Sequence, residues 1–259
     1  MSFKTDCCFS GKGKIYVRPW VCLDAETTYN PNPLVHIGNV LSFSIEIQEN
    51  SYSVPDRTSC AGGVECYAST IEGVDIKIEA SCWDSLNLAN GLYGTQFDIA
   101  AGSVVAEPHT SPSVVTGDWF VPLANIPDPA TVVVTGFTAG IDYIVTPGGI
   151  LFYGSSNGGT VPADTALTID YDFTDQECIP MISGQPPELE LWYDGENCVS
   201  QNPFRVQLCR VRFKPISEIN FISGEEFSIL NFEGSALKDP SKKADADNNP
   251  FSQYGKLNR

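Results

Sequence analysis

Two stretches of strict alternation constrain this chain more than any other feature. In residues 40–48, Leu41, Phe43, Ile45 and Ile47 alternate with Ser42, Ser44, Glu46 and Gln48. In residues 74–82, Val74, Ile76, Ile78, Ala80 and Cys82 alternate with Asp75, Lys77, Glu79 and Ser81. A period of two puts one set of side chains on a core and the other in water, so both stretches are expected to be amphipathic strands joined as a long antiparallel pair. Between them, residues 49–63 read as a polar loop containing Pro55, Gly62 and Gly63, too long for a simple hairpin turn. Loops of that length inside compact domains carry function or disorder.

The rest of the chain is punctuated in the same sense. Short apolar runs are broken throughout by 22 glycines and 18 prolines, the habit of a turn-rich β protein. With 259 residues, 42% of them hydrophobic, there is enough chain for one large or two smaller β domains. Further strands are expected at residues 14–22, 119–123, 131–135, 143–145, 150–153, 166–173, 188–193, 204–214 and 227–232. In residues 204–214, Arg205, Arg210, Arg212 and Lys214 fall on both faces, which requires a bulge or an interface. One helix is expected: Asp84 is its N-cap, Leu86, Ala89, Leu92 and Tyr93 share a face, and Gly94 is its C′ residue. At about ten residues it is too short to hold alone and must dock that face on a sheet. Residues 107–174 read as an inserted small β domain. That leaves 1–106 with 175–237 as one discontinuous β domain, and 238–259 as a polar C-terminal arm with no core-forming pattern.

Charge is distributed unevenly. Residues 78–204, 127 in all, contain 16 Asp and Glu and no Lys or Arg, so the block holds nearly all of the net charge of −17. Such a surface repels phosphate and gains nothing from counterion release, which argues against a protein that grips nucleic acid while leaving nucleic acid free to slide past. The start has no apolar run of signal-peptide length, nor do about 18 apolar residues run together anywhere. A cytosolic protein is therefore expected, and its nine cysteines, with no Cys-x-x-Cys pair, are expected to be free thiols.

Motifs for chemistry are thin. Gly154-Ser155-Ser156-Asn157-Gly158 fits the pattern of a nucleophile elbow but lacks a following helix and a later histidine, so a β-turn is expected. Asp245, Asp247 and Asn249 imitate a calcium loop that Pro250 and Lys256 spoil. His36 and His109 stand apart without cysteines at zinc spacing, and Gly11-Lys12-Gly13-Lys14 has neither phosphate-binding spacing. The acid pairs Glu188 with Glu190 and Asp170 with Asp172 share strand faces, as glycoside hydrolysis would need, without an aromatic cluster around them. Neither an enzyme, a cofactor nor a metal is expected.

The order of elements carries more. Residues 13–18 (Gly-Lys-Ile-Tyr-Val-Arg) come first, then Ile37-Gly38-Asn39-Val40 opening the alternating strand, the long polar segment, the strand ending at Cys82, and residues 87–95 on the helix. Phe213-Lys214-Pro215 and residues 232–239 (Phe-Glu-Gly-Ser-Ala-Leu-Lys-Asp) follow. Together these resemble the tail tube, or major tail, protein of long-tailed bacteriophages with non-contractile tails. The resemblance implies a β-sandwich or half-barrel subunit forming hexameric rings that stack into a tube. Glu49, Tyr52, Pro55, Asp56, Arg57, Gly62 and Gly63 would then lie in a loop contacting the next ring, with residues 1–12 and 235–259 assisting. The same resemblance puts Ser42, Ser44, Glu46, Gln48, Asp75, Lys77 and Glu79 on the lumen. It also implies a virion tail location after assembly in the host cytoplasm, a tape-measure protein and tail terminator or tail-tip proteins as partners, passage of DNA without specific binding, and no membrane. The rival expectation is a glycan-binding or host-attachment β-sandwich using Trp119, Tyr143 and Tyr153.

Overall fold

In chain order the protein runs β1 (Gly11–Pro19), β2 (Val35–His36), β3 (Val40–Pro55), β4 (Val64–Ala80) and the helix α1 (Ser85–Leu92). The strands β5 (Phe97–Ile99), β6 (Gly102–Thr110), β7 (Trp119–Pro122), β8 (Val133–Val134), β9 (Tyr143–Thr146), β10 (Gly149–Phe152), β11 (Ala166–Phe173) and β12 (Gln176–Cys178) come next. The last four are β13 (Glu188–Asn197), β14 (Pro203–Phe213), β15 (Leu230–Ala236) and β16 (Gly255–Asn258). The structure, a computed structural model, describes residues 8–22, 30–58, 62–222, 224, 227–242 and 253–258. The protein is mostly β, and α1 is the one α-helix among the described residues. Residues 245–249 of the calcium-loop imitation lie outside the described residues. Every described cysteine is a free thiol.

Two compact units divide the chain, one made of Met1–Gln96 with Ile179–Arg259 and the other of Phe97–Cys178. The first unit is built on one antiparallel sheet in the order β2-β1-β13-β14-β15-β4-β3. One edge of β14 is shared: residues 205–208 pair with β16 and residues 211–213 with β15. Rings of Phe43 on β3 and Tyr193 on β13 lie 5.7 Å apart. Four strand spacings separate those strands along the sheet, about 19 Å if it were flat, so the sheet curls back on itself as a half-barrel. Its concave side holds the core, including Ile15, Ile76, Ile78, Leu191, Val211 and Leu230.

The basic residues of β14 are accommodated by a bulge. Leu191 faces Leu208 and Leu189 faces Val211, so Cys209 and Arg210 together oppose Glu190. The bulge turns Arg210 outward, where its Nε and a terminal amine donate to the two Glu188 carboxylate oxygens at 2.9 and 2.8 Å and its guanidinium lies 4.3 Å from the centre of the Trp20 ring.

Asp84 caps α1 by accepting from the Asn87 N–H at 2.7 Å. The C-terminal end differs from expectation: Tyr93, at φ 53°, takes the left-handed position assigned to Gly94. Its hydroxyl donates to the Phe213 carbonyl at 2.6 Å, a tether that offsets the cost of this conformation. The docking face is also different. Asn87 and Gly91 are its buried centre, with Leu86 and Leu88 packed beside them, while Ala89, Leu92 and Tyr93 are half-buried. The asparagine is tolerated there because its amide donates to the Ile37 and Cys82 carbonyls at 2.8 and 3.0 Å. The glycine allows a close approach: a Cβ on residue 91 would sit 2.2 Å from the Ile216 Cδ1, so one of the two would have to shift. Gly91→Ala is therefore expected to lower stability by about 1–3 kcal/mol in a denaturant titration; an unchanged midpoint would show that Ile216 swings aside.

The second unit is wider at both ends than residues 107–174. The reason is pairing outside those limits: β5 pairs with β12, Ile99 facing Gln176 and Phe97 facing Cys178, and β6 begins at Gly102 against Phe173. Two three-stranded sheets, β7-β10-β9 and β6-β11-β8, enclose a separate core that includes Val134, Ile150, Phe152, Leu167 and Ile169. At the β6 end Glu107 accepts from the Tyr171 hydroxyl at 2.6 Å and the Ala124 N–H at 3.3 Å, with the His109 Nε2 at 2.9 Å. Burial pushes the Glu107 carboxyl up, but these partners outweigh it and hold it below its ordinary range.

Candidate functional site

The most exposed part of the first unit is the segment between the two alternating stretches, and it is strand rather than loop. Residues 49–55 continue β3 and residues 64–73 begin β4, paired from Gln48 opposite Gly73 out to Pro55 opposite Val64. Glu49, Tyr52 and Pro55 thus belong to an arm of the hairpin, with Pro55 at its outer end, where a missing ladder donor costs little. Asp56, Arg57, Gly62 and Gly63 form the turn, closed by the Asp56 N–H donating to the Gly63 carbonyl at 2.9 Å. Both glycines have positive φ, 66° and 145°. Polarity hid the strands because the arm has no core on either face: Tyr52, Val54, Val64 and Tyr67 are each more than half exposed.

The seven residues assigned to a polar face are brought together by the register. Ser42 opposes Glu79, Ser44 opposes Lys77, Glu46 opposes Asp75 and Gln48 opposes Gly73. Strand β15 extends the face with Asn231, Glu233 and Ser235, and Arg212 on β14 opposes Ser235. Asp75 accepts from the Ser235 hydroxyl at 2.7 Å and the Gln48 amide at 3.3 Å, and Lys77 stands 4.0 Å from Glu46. Charge on this face is mixed. Ten of the 16 acids of the block without Lys or Arg fall instead in Phe97–Cys178.

The opposite, apolar row of β3 corrects the expectation of burial. Only Phe43 and Val40 are partly buried against the core, while Leu41 and Ile47 are 56% and 63% exposed. Along its outer edge β3 pairs with no strand among the described residues. The half-barrel does not close, and a groove of about 770 Å³ separates residues 39–45 from residues 11–15 of β1. Its floor is a row of rings, with Phe43 5.7 Å from Tyr193, Tyr193 6.3 Å from Phe204, and Phe204 5.4 Å from Phe9. Gly195 makes room for this row, since a Cβ there would sit 2.4 Å from the Tyr193 hydroxyl. Burial, together with Cys198 and Asp194 nearby, raises the Tyr193 phenol pKa and keeps it neutral.

Candidate catalytic groups are occupied elsewhere. Ser156 sits in a single 3-10 turn, Ser155–Asn157, and donates its hydroxyl to the Thr116 carbonyl. Glu188 pairs with Arg210, and Glu190 accepts from Arg18, Trp192 and Gln207 at 2.7, 2.8 and 2.9 Å. Asp170 accepts from the Ala106 N–H and Asp172 from the Ser103 hydroxyl. Among the sugar-binding candidates, Tyr143 is 2% exposed and Trp119 is stacked on Phe152 at 4.4 Å, so these two rings pack the second unit, while Tyr153 is half-buried. His36 lies against the Tyr16 ring at 5.4 Å. Among the described residues no group of His, Cys, Asp and Glu is arranged to hold a metal ion, and no helix is long and apolar enough to cross a membrane.

Strand β16 was not legible in the polar C-terminal segment, because Leu257 is the one large apolar side chain among its four residues, Gly255–Asn258. Its residues 255–258 add to the free part of the β14 edge, and Leu257 reaches the groove. No curated protein sequence matches this chain. The chain belongs to the family described as protein of unknown function UCP028589, which matches residues 8–258.

Proposed function

We propose that this chain is a self-assembling structural subunit, and that the assembly is a phage tail tube of stacked hexameric rings. The observation that carries the reading is β3: a 16-residue strand with one edge unpaired among the described residues and an apolar row left uncovered. Long free edges of this kind are aggregation hazards unless another chain pairs with them, and a closed ring removes them from every copy at once. The mixed polar face of Ser42, Ser44, Glu46, Gln48, Asp75, Lys77 and Glu79 then lines the lumen. It offers DNA scattered charges of both signs rather than a continuous basic track, so DNA passes without lasting phosphate contacts. A tape-measure protein inside the tube, tail terminator and tail-tip proteins at its ends, and residence in the virion tail complete the reading. Sedimentation velocity over a concentration series tests it: mass is expected to rise from monomer toward multiples of six, and a monomer at every concentration would count against it.

A further inference from the structure

The arm and the groove are complementary features of one chain, and from them we infer that the β3–β4 arm of one copy seats in the groove of the next. This rests on the self-assembly reading and names its contact surface. The arm is a hairpin with two free edges: β3 pairs only with β4, and β4 meets β15 only from Val74 inward, among the described residues. Among the described residues the groove is bounded by two unpaired edges as well. On one side lies the outer edge of β3, and on the other β1, whose residues 11–14 pair with β13 but not with β2. An inserted hairpin supplies a ladder partner to each, as in strand addition to an open sheet.

Area and charge favour a second copy as the occupant. Tyr52 and Tyr67, 62% and 64% exposed, present roughly 250 Å² between them. With Val54, Val64, Ile71 and the two backbone edges, the arm offers on the order of the 800 Å² that each side of a stable interface buries. The arm carries Glu49, Asp56, Glu65 and Glu72 against Arg57, while Lys12 and Lys14 on the receiving edge are exposed and form no ion pair among the described residues. That arrangement steers arm to groove and weakens with salt.

Two variants separate donor from receiver. In the first, residues 49–72 are replaced by Asn-Gly, joining the facing residues Gln48 and Gly73 by a two-residue hairpin turn. The core remains, because none of the arm's described residues belongs to it. In the second, Leu41→Arg and Leu257→Arg block the groove; both side chains are more than half exposed, so folding is unaffected. Each variant alone is expected to be monomeric in sedimentation velocity, and their equimolar mixture is expected to give a one-to-one dimer, the intact arm of one in the intact groove of the other. A mixture that stays monomeric, or a groove-blocked variant that assembles like wild type, overturns the contact. A dimer in the mixture together with open chains instead of rings from wild type upholds the contact and overturns the tube.

Discussion

Glu190→Ala is expected to destabilise the first unit by about 3–5 kcal/mol, the range for breaking one side of a buried ion pair. Glu190 is 5% exposed and is held by Arg18, Trp192 and Gln207. Removing the carboxylate leaves the Arg18 guanidinium half-enclosed without its counterion, bonded among the described residues to the Asn30 and Asn32 carbonyls alone. It also leaves the Gln207 amide and Trp192 indole without their acceptor. The same carboxylate sets a pH dependence. Burial pushes its pKa up, but the donors, Arg18 foremost, outweigh burial and bring it below the ordinary value. A depressed folded pKa means that the stabilisation is fully present above about pH 4.3, the unfolded value, and is lost as pH falls through the folded pKa. Denaturant titrations of wild type and Glu190→Gln at pH 7 and in acid check this. The difference between them should shrink in acid, and a difference that is constant with pH would contradict the assignment.

Phe152→Ala is expected to cost the second unit about 3–5 kcal/mol. The ring is fully buried, stacked on Trp119 at 4.4 Å and tilted against Tyr143 at 5.7 Å, so its removal opens a cavity between these two aromatic side chains. The two units have separate cores, which makes the effect selective. By calorimetry the transition of Phe97–Cys178 should move down while the transition of the first unit stays in place, and the reverse pattern should hold for Glu190→Ala. A single transition shifted equally by both variants would mean that the units unfold as one.

Where side chains meet a core, the sequence was a good guide to this fold. Residues 166–173 form β11 over that span, and the alternation in residues 74–80 buries Ile76, Ile78 and Ala80 while Lys77 and Glu79 stay exposed. Local rules also worked where a local interaction decides, as at the Asp84 cap and the β14 bulge. They failed where it does not. The arm reads as a loop because its strands have water on both faces, and hydrophobic periodicity is a signal of one-sided burial. The position of Asn87 on the inner face of α1 depends on the Ile37 and Cys82 carbonyls, and that of Gly91 on Ile216, all supplied by the tertiary fold. The candidate site divides in the same way. Register made the polar face of β3 and β4 legible, whereas the groove depends on how far the sheet curls and on β16, which no pattern in its own residues announces.

Electron microscopy of the purified full-length protein, dilute and then concentrated, tests the central claim most directly. Rings with a central channel, stacking into hollow tubes as concentration rises, are the predicted result. Compact single particles at every concentration, with no ring in any class average, would contradict it.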